Sequence, residues 1–151
     1  MIGGDAALPL RWLTLKIELA RFDSLDNRSD DYLQYVLQLE RQTGEWSVGG
    51  GYAGEIVIEE RKFPSFDPDR GLTKTFLGRA GYTIDASRNV SFEAAVRQDA
   101  NGAWAKVEYS QAFGQHWRAT VGIGAIGGKP ADFLGQYRRN SHGLVAVRYS
   151  F

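Results

Sequence analysis

Apolar and polar residues alternate with a period of two through most of this 151-residue chain. Successive side chains of a strand point to opposite faces, so this period predicts β-strands with one apolar face. The first predicted strand spans residues 10–22. Leu13, Leu15, Ile17 and Leu19 share a face, and Trp12, Thr14, Lys16, Glu18 and Ala20 share the other. Residues 32–42 repeat the pattern, with Leu33, Tyr35, Leu37 and Leu39 opposite Gln34, Gln38 and Glu40; this stretch also reads as a short helix. In residues 46–59, Trp46, Val48, Tyr52, Ile56 and Ile58 alternate with Ser47, Gly49, Gly51, Ala53, Glu55 and Glu59.

The second half continues in the same way. Residues 74–85 place Phe76, Ala80, Tyr82 and Ile84 against Thr75, Arg79, Thr83 and Asp85, and residues 90–98 place Val90, Phe92, Ala94 and Val96 against Ser91, Glu93 and Arg97. In residues 103–113, Ala105, Val107, Tyr109 and Phe113 oppose Trp104, Lys106, Glu108 and Ser110. In residues 117–126, Trp117, Ala119, Val121, Ile123 and Ala125 oppose Arg118, Thr120, Gly122 and Gly124. The last ten residues set Gly143, Val145, Val147, Tyr149 and Phe151 against His142, Leu144, Ala146, Arg148 and Ser150. The total is eight strands. Their connections alternate between tight turns (residues 42–45, 86–89 and 114–116) and long polar loops (22–31, 60–73 and 127–140), with residues 99–102 a short loop where a long one is due.

The chain ends on Leu144-Val-Ala-Val-Arg-Tyr-Ser-Phe151. An alternating strand closed by a terminal Phe resembles the C-terminal assembly signal of bacterial outer-membrane β-barrel proteins, and the resemblance extends over residues 10–151. It implies an eight-stranded antiparallel up-and-down transmembrane β-barrel inserted by the outer-membrane assembly machinery of a Gram-negative bacterium. Short turns on one rim and long loops on the other fit such barrels, the short turns being periplasmic. Residues 1–9 are then an N-terminal periplasmic lead-in, residues 10–151 a single barrel domain, and both termini periplasmic. Met1-Ile-Gly-Gly-Asp5 does not read as a signal peptide, so the barrel reading expects either a removed leader or a larger porin-like barrel of which these are the last eight strands.

Composition narrows the choice. Basic and acidic residues number 18 each, so no basic field exists for nucleic acid. No cysteine is present, which excludes disulfides and thiolate metal sites. A mean hydropathy of −0.34 reads as water-soluble, but a membrane barrel escapes that measure because only alternate residues meet lipid. Period two alone also allows a soluble lipocalin-like ligand-binding barrel, with its apolar side inward. The membrane sense is favoured by the company the charges keep. Lys16, Arg79, Arg97, Lys106, Arg118 and Arg148, with Glu18, Glu40, Glu55, Asp85, Glu93 and Glu108, are interspersed with Gly and Ala. Small residues make room for long ones in a crowded interior. These charges are expected to line the lumen. Trp46, Phe113, Trp117, Tyr149 and Phe151 are expected as interfacial aromatics at the tight-turn rim, in contact with lipid bilayer and lipopolysaccharide.

Enzymatic chemistry finds little support. Ser141 and His142 are adjacent, so on a strand they point apart and cannot form a dyad; His116 reads as a turn residue. Asp23, Asp30, Asp31, Asp67 and Asp69 lack the spacing of a calcium loop, and Gly49-Gly50-Gly51 sits mid-strand, unlike a phosphate loop. No cofactor, metal or catalytic residue is expected. The function expected is a passive porin-like channel with weak charge selectivity, or part of one. The alternative is a closed structural or surface-presenting barrel with a salt-bridged interior.

Overall fold

The computed structural model describes residues 1–23, 30–59 and 74–151. They form one antiparallel sheet of nine strands, each paired with its neighbours in sequence. The strands are β1 (Ile2–Pro9), β2 (Thr14–Phe22), β3 (Asp31–Thr43), β4 (Trp46–Glu59), β5 (Thr75–Thr83), β6 (Arg88–Arg97), β7 (Gly102–Phe113), β8 (Trp117–Gly128) and β9 (His142–Tyr149). A 3-10 helix, Gly135–Asn140, lies between β8 and β9. The all-β up-and-down order is the one alternation predicts, and β3 is a strand rather than a helix. The loop aspartates Asp67 and Asp69 lie outside the described residues.

Three expectations are corrected. Residues 2–9 are not a lead-in but β1, running along β2 from Ile2 opposite Arg21 to Pro9 opposite Thr14. Gly3, Gly4, Ala6 and Ala7 give this strand too little hydropathy contrast for its period to show. The count is therefore nine, not eight, and the sheet is open: β1 and β9 each have one neighbour, so no barrel closes within it. Finally, an odd number of alternating strands puts the start of β1 and the end of β9 on opposite rims. Ile2 starts at the long-loop rim and Tyr149 ends at the tight-turn rim, so the first and last strands of the sheet do not begin and end on one side as the expectation had it.

Turn chemistry fixes the tight rim. Thr43 pairs with Trp46 around a two-residue loop whose Gly44 has φ +56°, a left-handed conformation that glycine adopts without steric cost. Residues 10–13 form another turn, closed by the Leu10 N–H donating to the Leu13 carbonyl at 2.8 Å. Trp12 therefore falls outside the strands.

Register sorts every strand residue onto one of two faces. Reading across the sheet from Glu40, the opposed residues are Gly49, Arg79, Glu93, Lys106, Gly124 and His142. One step back along β3 the row becomes Leu39, Gly50, Gly78, Ala94, Ala105 and Ala125. From β3 to β8 the polar face is on balance the more sheltered one, with Arg79, Glu93 and Arg118 as exposed exceptions. The Glu40 side chain is 20% exposed and its neighbour Leu39 51%; the Glu108 side chain is 25% exposed and Val107 47%. A hollow of about 270 Å³ on this face is lined from β3 through β7 by Gln38, Glu40, Arg79, Glu93 and Trp104 among others, so the sheet curls toward its polar side. Among the described residues the buried apolar side chains are Ala95 and Leu134. Ile123, Val145 and Val147 stand open on the convex side. Each such side chain left in water forgoes about 1.5–3 kcal/mol of burial.

Candidate functional site: the polar face and its folded-back segment

The polar face gathers eleven of the twelve charges expected in a lumen: Lys16, Glu18, Glu40, Glu55, Arg79, Glu93, Arg97, Lys106, Glu108, Arg118 and Arg148. Asp85 is the exception. It lies in the turn between β5 and β6, where its carboxylate accepts from the Ser87 N–H (2.9 Å), the Ser87 hydroxyl (2.8 Å), and Arg88 Nε (2.7 Å). Short polar side chains next to a turn bond the local backbone rather than continue the strand. The Arg88 guanidinium, then the Ser87 hydroxyl and N–H, hold the Asp85 carboxyl well below the usual aspartate range.

Several of these charges form local sets. Glu40 accepts from Lys16 Nζ at 2.9 Å and is also paired with Arg79, which joins β2, β3 and β5. Lys106 pairs with Glu108 at 3.0 Å. Arg118 Nη1 donates to Ser110 Oγ at 3.1 Å. Glycines create the space for these long side chains. A Cβ at Gly49 would come within 3.2 Å of Arg79 Cγ and Nε, and one at Gly122 within 2.9 Å of Glu108 Cγ. The Gly49-Gly50-Gly51 run thus lets the Glu40–Arg79 pair cross β4.

At the long-loop rim the chain after β8 folds back onto this face. Asp132 organises it: Oδ1 accepts from Leu134 N–H at 2.9 Å, and Oδ2 from Arg97 Nε at 3.1 Å. Asp132 and Thr75 are buried, and so is Leu134 beside them. Close approach here needs glycine. A Cβ at Gly102 would lie 1.9 Å from Asp132 Oδ1, and one at Gly135 would lie 1.8 Å from the Lys129 carbonyl. The sequence pattern marks residues 127–140 as a polar outer loop and does not single out Asp132, Thr75, Gly102 or Leu134. A signal exists: Gly127-Gly128 followed by Pro130 and Asp132 is turn chemistry. The face that the turn covers is absent from the local pattern.

On the apolar face the expected aromatics lie at the tight-turn rim in two separate groups. Trp46 and Tyr82 have ring centroids 4.7 Å apart, Trp117 and Tyr149 4.9 Å, and Tyr149 and Phe151 6.2 Å; Phe113 is opposite Trp117. A second aromatic row lies further along: Tyr35 is 6.3 Å from Tyr52, and Tyr52 is 5.2 Å from Phe76. Trp46 and Tyr52 are on one strand, roughly 20 Å apart at about 3.4 Å per residue. Val48 and Gly50 on β4, and Gly78 and Ala80 on β5, fill the band between the rows.

The two histidines are engaged locally. His116 Nδ1 is 2.8 Å from the Ser150 carbonyl, and His142 Nδ1 is 2.9 Å from the Asn140 carbonyl. Ser141 Oγ accepts from the Ile126 N–H at 3.0 Å, so it does not face His142 as a nucleophile faces a base. Among the described residues no three His, Asp or Glu side chains gather as a metal site would require. No family model matches the chain, and no curated protein or solved structure is significantly similar to it.

Proposed function

We propose that this chain forms the wall of a transmembrane β-barrel of the bacterial outer membrane, its apolar face on lipid and its polar face lining a passage for small polar solutes. One observation carries the reading: from β3 to β8 the apolar face is the more exposed, convex one, and the polar face the more sheltered one. A water-soluble domain of this length normally buries about 70% of its unfolded surface around an apolar core. Here Ala95 and Leu134 are the buried apolar residues described, while an apolar surface runs across all nine strands. A lipocalin-like barrel would need the opposite sense. A bilayer supplies the missing apolar phase, and two aromatic rows bracketing an aliphatic band suit its two interfaces. Strands β2 through β8 have from 9 to 14 residues, long enough for a tilted crossing.

In this reading the tight turns face the periplasm, and the terminal strand with Phe151 engages the assembly machinery. The long loops face lipopolysaccharide. Both signs of charge line the polar face, so the passage discriminates weakly by charge. A second reading keeps one specific observation: Lys16, Glu40 and Arg79 bridge the face, and the Asp132 segment covers one end of it. A barrel filled in this way would be closed and structural. Flotation with phospholipid vesicles after refolding tests the membrane wall; protein left in the aqueous fraction would remove it. Discrete current steps in a planar bilayer would select the channel, and silence from inserted protein the closed barrel.

A further inference from the structure

β1 and β9 are the open edges of the sheet, and each presents a row of unpaired backbone donors and acceptors. In hydrocarbon each such unmet group costs several kcal/mol. In the membrane-wall reading, on which this inference rests, both edges must be covered.

Strand direction limits what can cover them. The sheet is antiparallel throughout and has nine strands, so β1 and β9 run the same way. Joining them directly would create one parallel pair. Copies arranged around an axis along the strands meet the same obstacle, because β9 of one copy would lie parallel to β1 of the next. A two-fold axis across the strands would give antiparallel junctions, but it would place one copy's tight turns on the same rim as the other's long loops.

Space is a second limit. A barrel of about eight strands has an interior just wide enough for its own side chains. This polar face holds Lys16, Arg79, Trp104 and Lys106, and the segment around Asp132 and Leu134 is seated on it as well. In a cylinder of nine strands this segment, seated at the long-loop rim, would compete with those side chains for the same narrow interior.

Charge is the third. At the β1 edge Asp5 is opposite Glu18, and at the β9 edge Arg118 is opposite Arg148. Like charges directly opposed on a sheet are destabilising. Among the described residues Asp5, Glu18 and Arg148 form no ion pair. Each lies on the polar face beside an open edge.

We propose that the sheet is completed by a partner β-meander contributing an odd number of antiparallel strands, apolar outward and polar inward. Its strand beside β1 carries a lysine or arginine facing Asp5 and Glu18. Its strand beside β9 carries a carboxylate facing Arg118 and Arg148. An odd number is the only count that leaves every junction antiparallel.

The chain has no cysteine, so engineered pairs report without background. The test is oxidative cross-linking of the 151-residue chain refolded in zwitterionic detergent micelles, read with amide hydrogen exchange. Ala7→Cys is combined in turn with Leu144→Cys and with Ala146→Cys. Val36→Cys with Ala53→Cys, register partners on β3 and β4, is the control. The expected result is near-complete control cross-linking, none between β1 and β9, and edge amides exchanging about 100-fold faster than those of β3 and β4. The positive probe is a synthetic ten-residue strand peptide of alternating apolar and polar residues, with a lysine set for Asp5 and a glutamate set for Arg148. It slows exchange at both edges, and the peptide with those two charges interchanged does so less. A β1–β9 disulfide within one chain would overturn the proposal in favour of self-closure. The same disulfide between chains would overturn it in favour of a ring of copies. Equal protection by both peptides would overturn the charge assignment, and an unlinked control would overturn the register beneath it. Failure of the membrane reading looks different: a fully cross-linked control that does not float with vesicles.

Discussion

On the convex face, Val107 sits between Phe92 and Ile123 across three strands. Any apolar side chain of similar size would serve there. On the concave face, Glu40 is held by both Lys16 and Arg79, over a Gly49 that admits no Cβ without displacing the arginine. The first surface is specified by hydropathy alone, the second by size, charge and position together. The difference teaches where the chain is tolerant. A solvent-like surface, whether water or lipid, asks only for matched polarity, whereas an enclosed polar surface must satisfy each charge.

The sharpest way to break that comparison is to put a charge on the tolerant face. Val107→Arg is expected to cost about 2–4 kcal/mol in chemical unfolding from lipid vesicles, the range for an arginine near the midplane. Ala146→Arg on the opposite face should cost less than about 1 kcal/mol. Equal costs would erase the distinction between lipid side and passage side.

Next in size is the folded-back segment. Asp132→Ala removes the acceptor for Arg97 Nε and for the Leu134 N–H, and is expected to destabilise by about 1–3 kcal/mol. Limited proteolysis should then cut within residues 129–141, and conductance should rise if the segment narrows the passage. A variant as resistant as the parent would mean that the segment is held by something other than this carboxylate.

A smaller effect is expected from Lys16→Gln. The pair with Glu40 is partly solvent-exposed, so stability should change by less than about 1 kcal/mol. The reversal potential of a bilayer under a salt gradient should nonetheless move toward cation preference, because the face loses a positive charge and Glu40 keeps only one of its two cationic partners. No shift would assign Lys16 to the closed, structural reading.

The smallest concerns the tight rim. Asp85 titrates below the ordinary aspartate range because Arg88 and Ser87 bond its ionised form. Its contribution is therefore complete above the unfolded value near 3.9 and is lost as pH falls through the lower folded value. The Ser87 amide resonance should stay in place at about pH 4 and move only in stronger acid. Asp85→Asn should move it at neutral pH. A midpoint at the ordinary aspartate value would mean that the turn bonds do not persist in solution.

Eight strands and nearly all of the two-face assignment were legible in the sequence, because a strand's period of two is local and Leu, Val, Ile and Tyr contrast strongly with Lys, Glu and Gln. β1 escaped because glycine and alanine carry no such contrast. Asp85 looked like one more polar-face residue, since periodicity does not mark the residue at which a strand gives way to a turn. The Asp132 segment escaped for another reason. Its partners Thr75, Arg97 and Gly102 belong to β5, β6 and β7, and nothing in their local pattern says that a distant loop covers them. The sequence by itself thus determined which residues share a face, since that follows from covalent geometry. Tertiary structure alone decided that the polar face is the concave one, that the loop after β8 lies on it, and that the sheet stays open at β1 and β9. Those outcomes depend on long-range pairing, curvature and strand count, which no local alternation encodes.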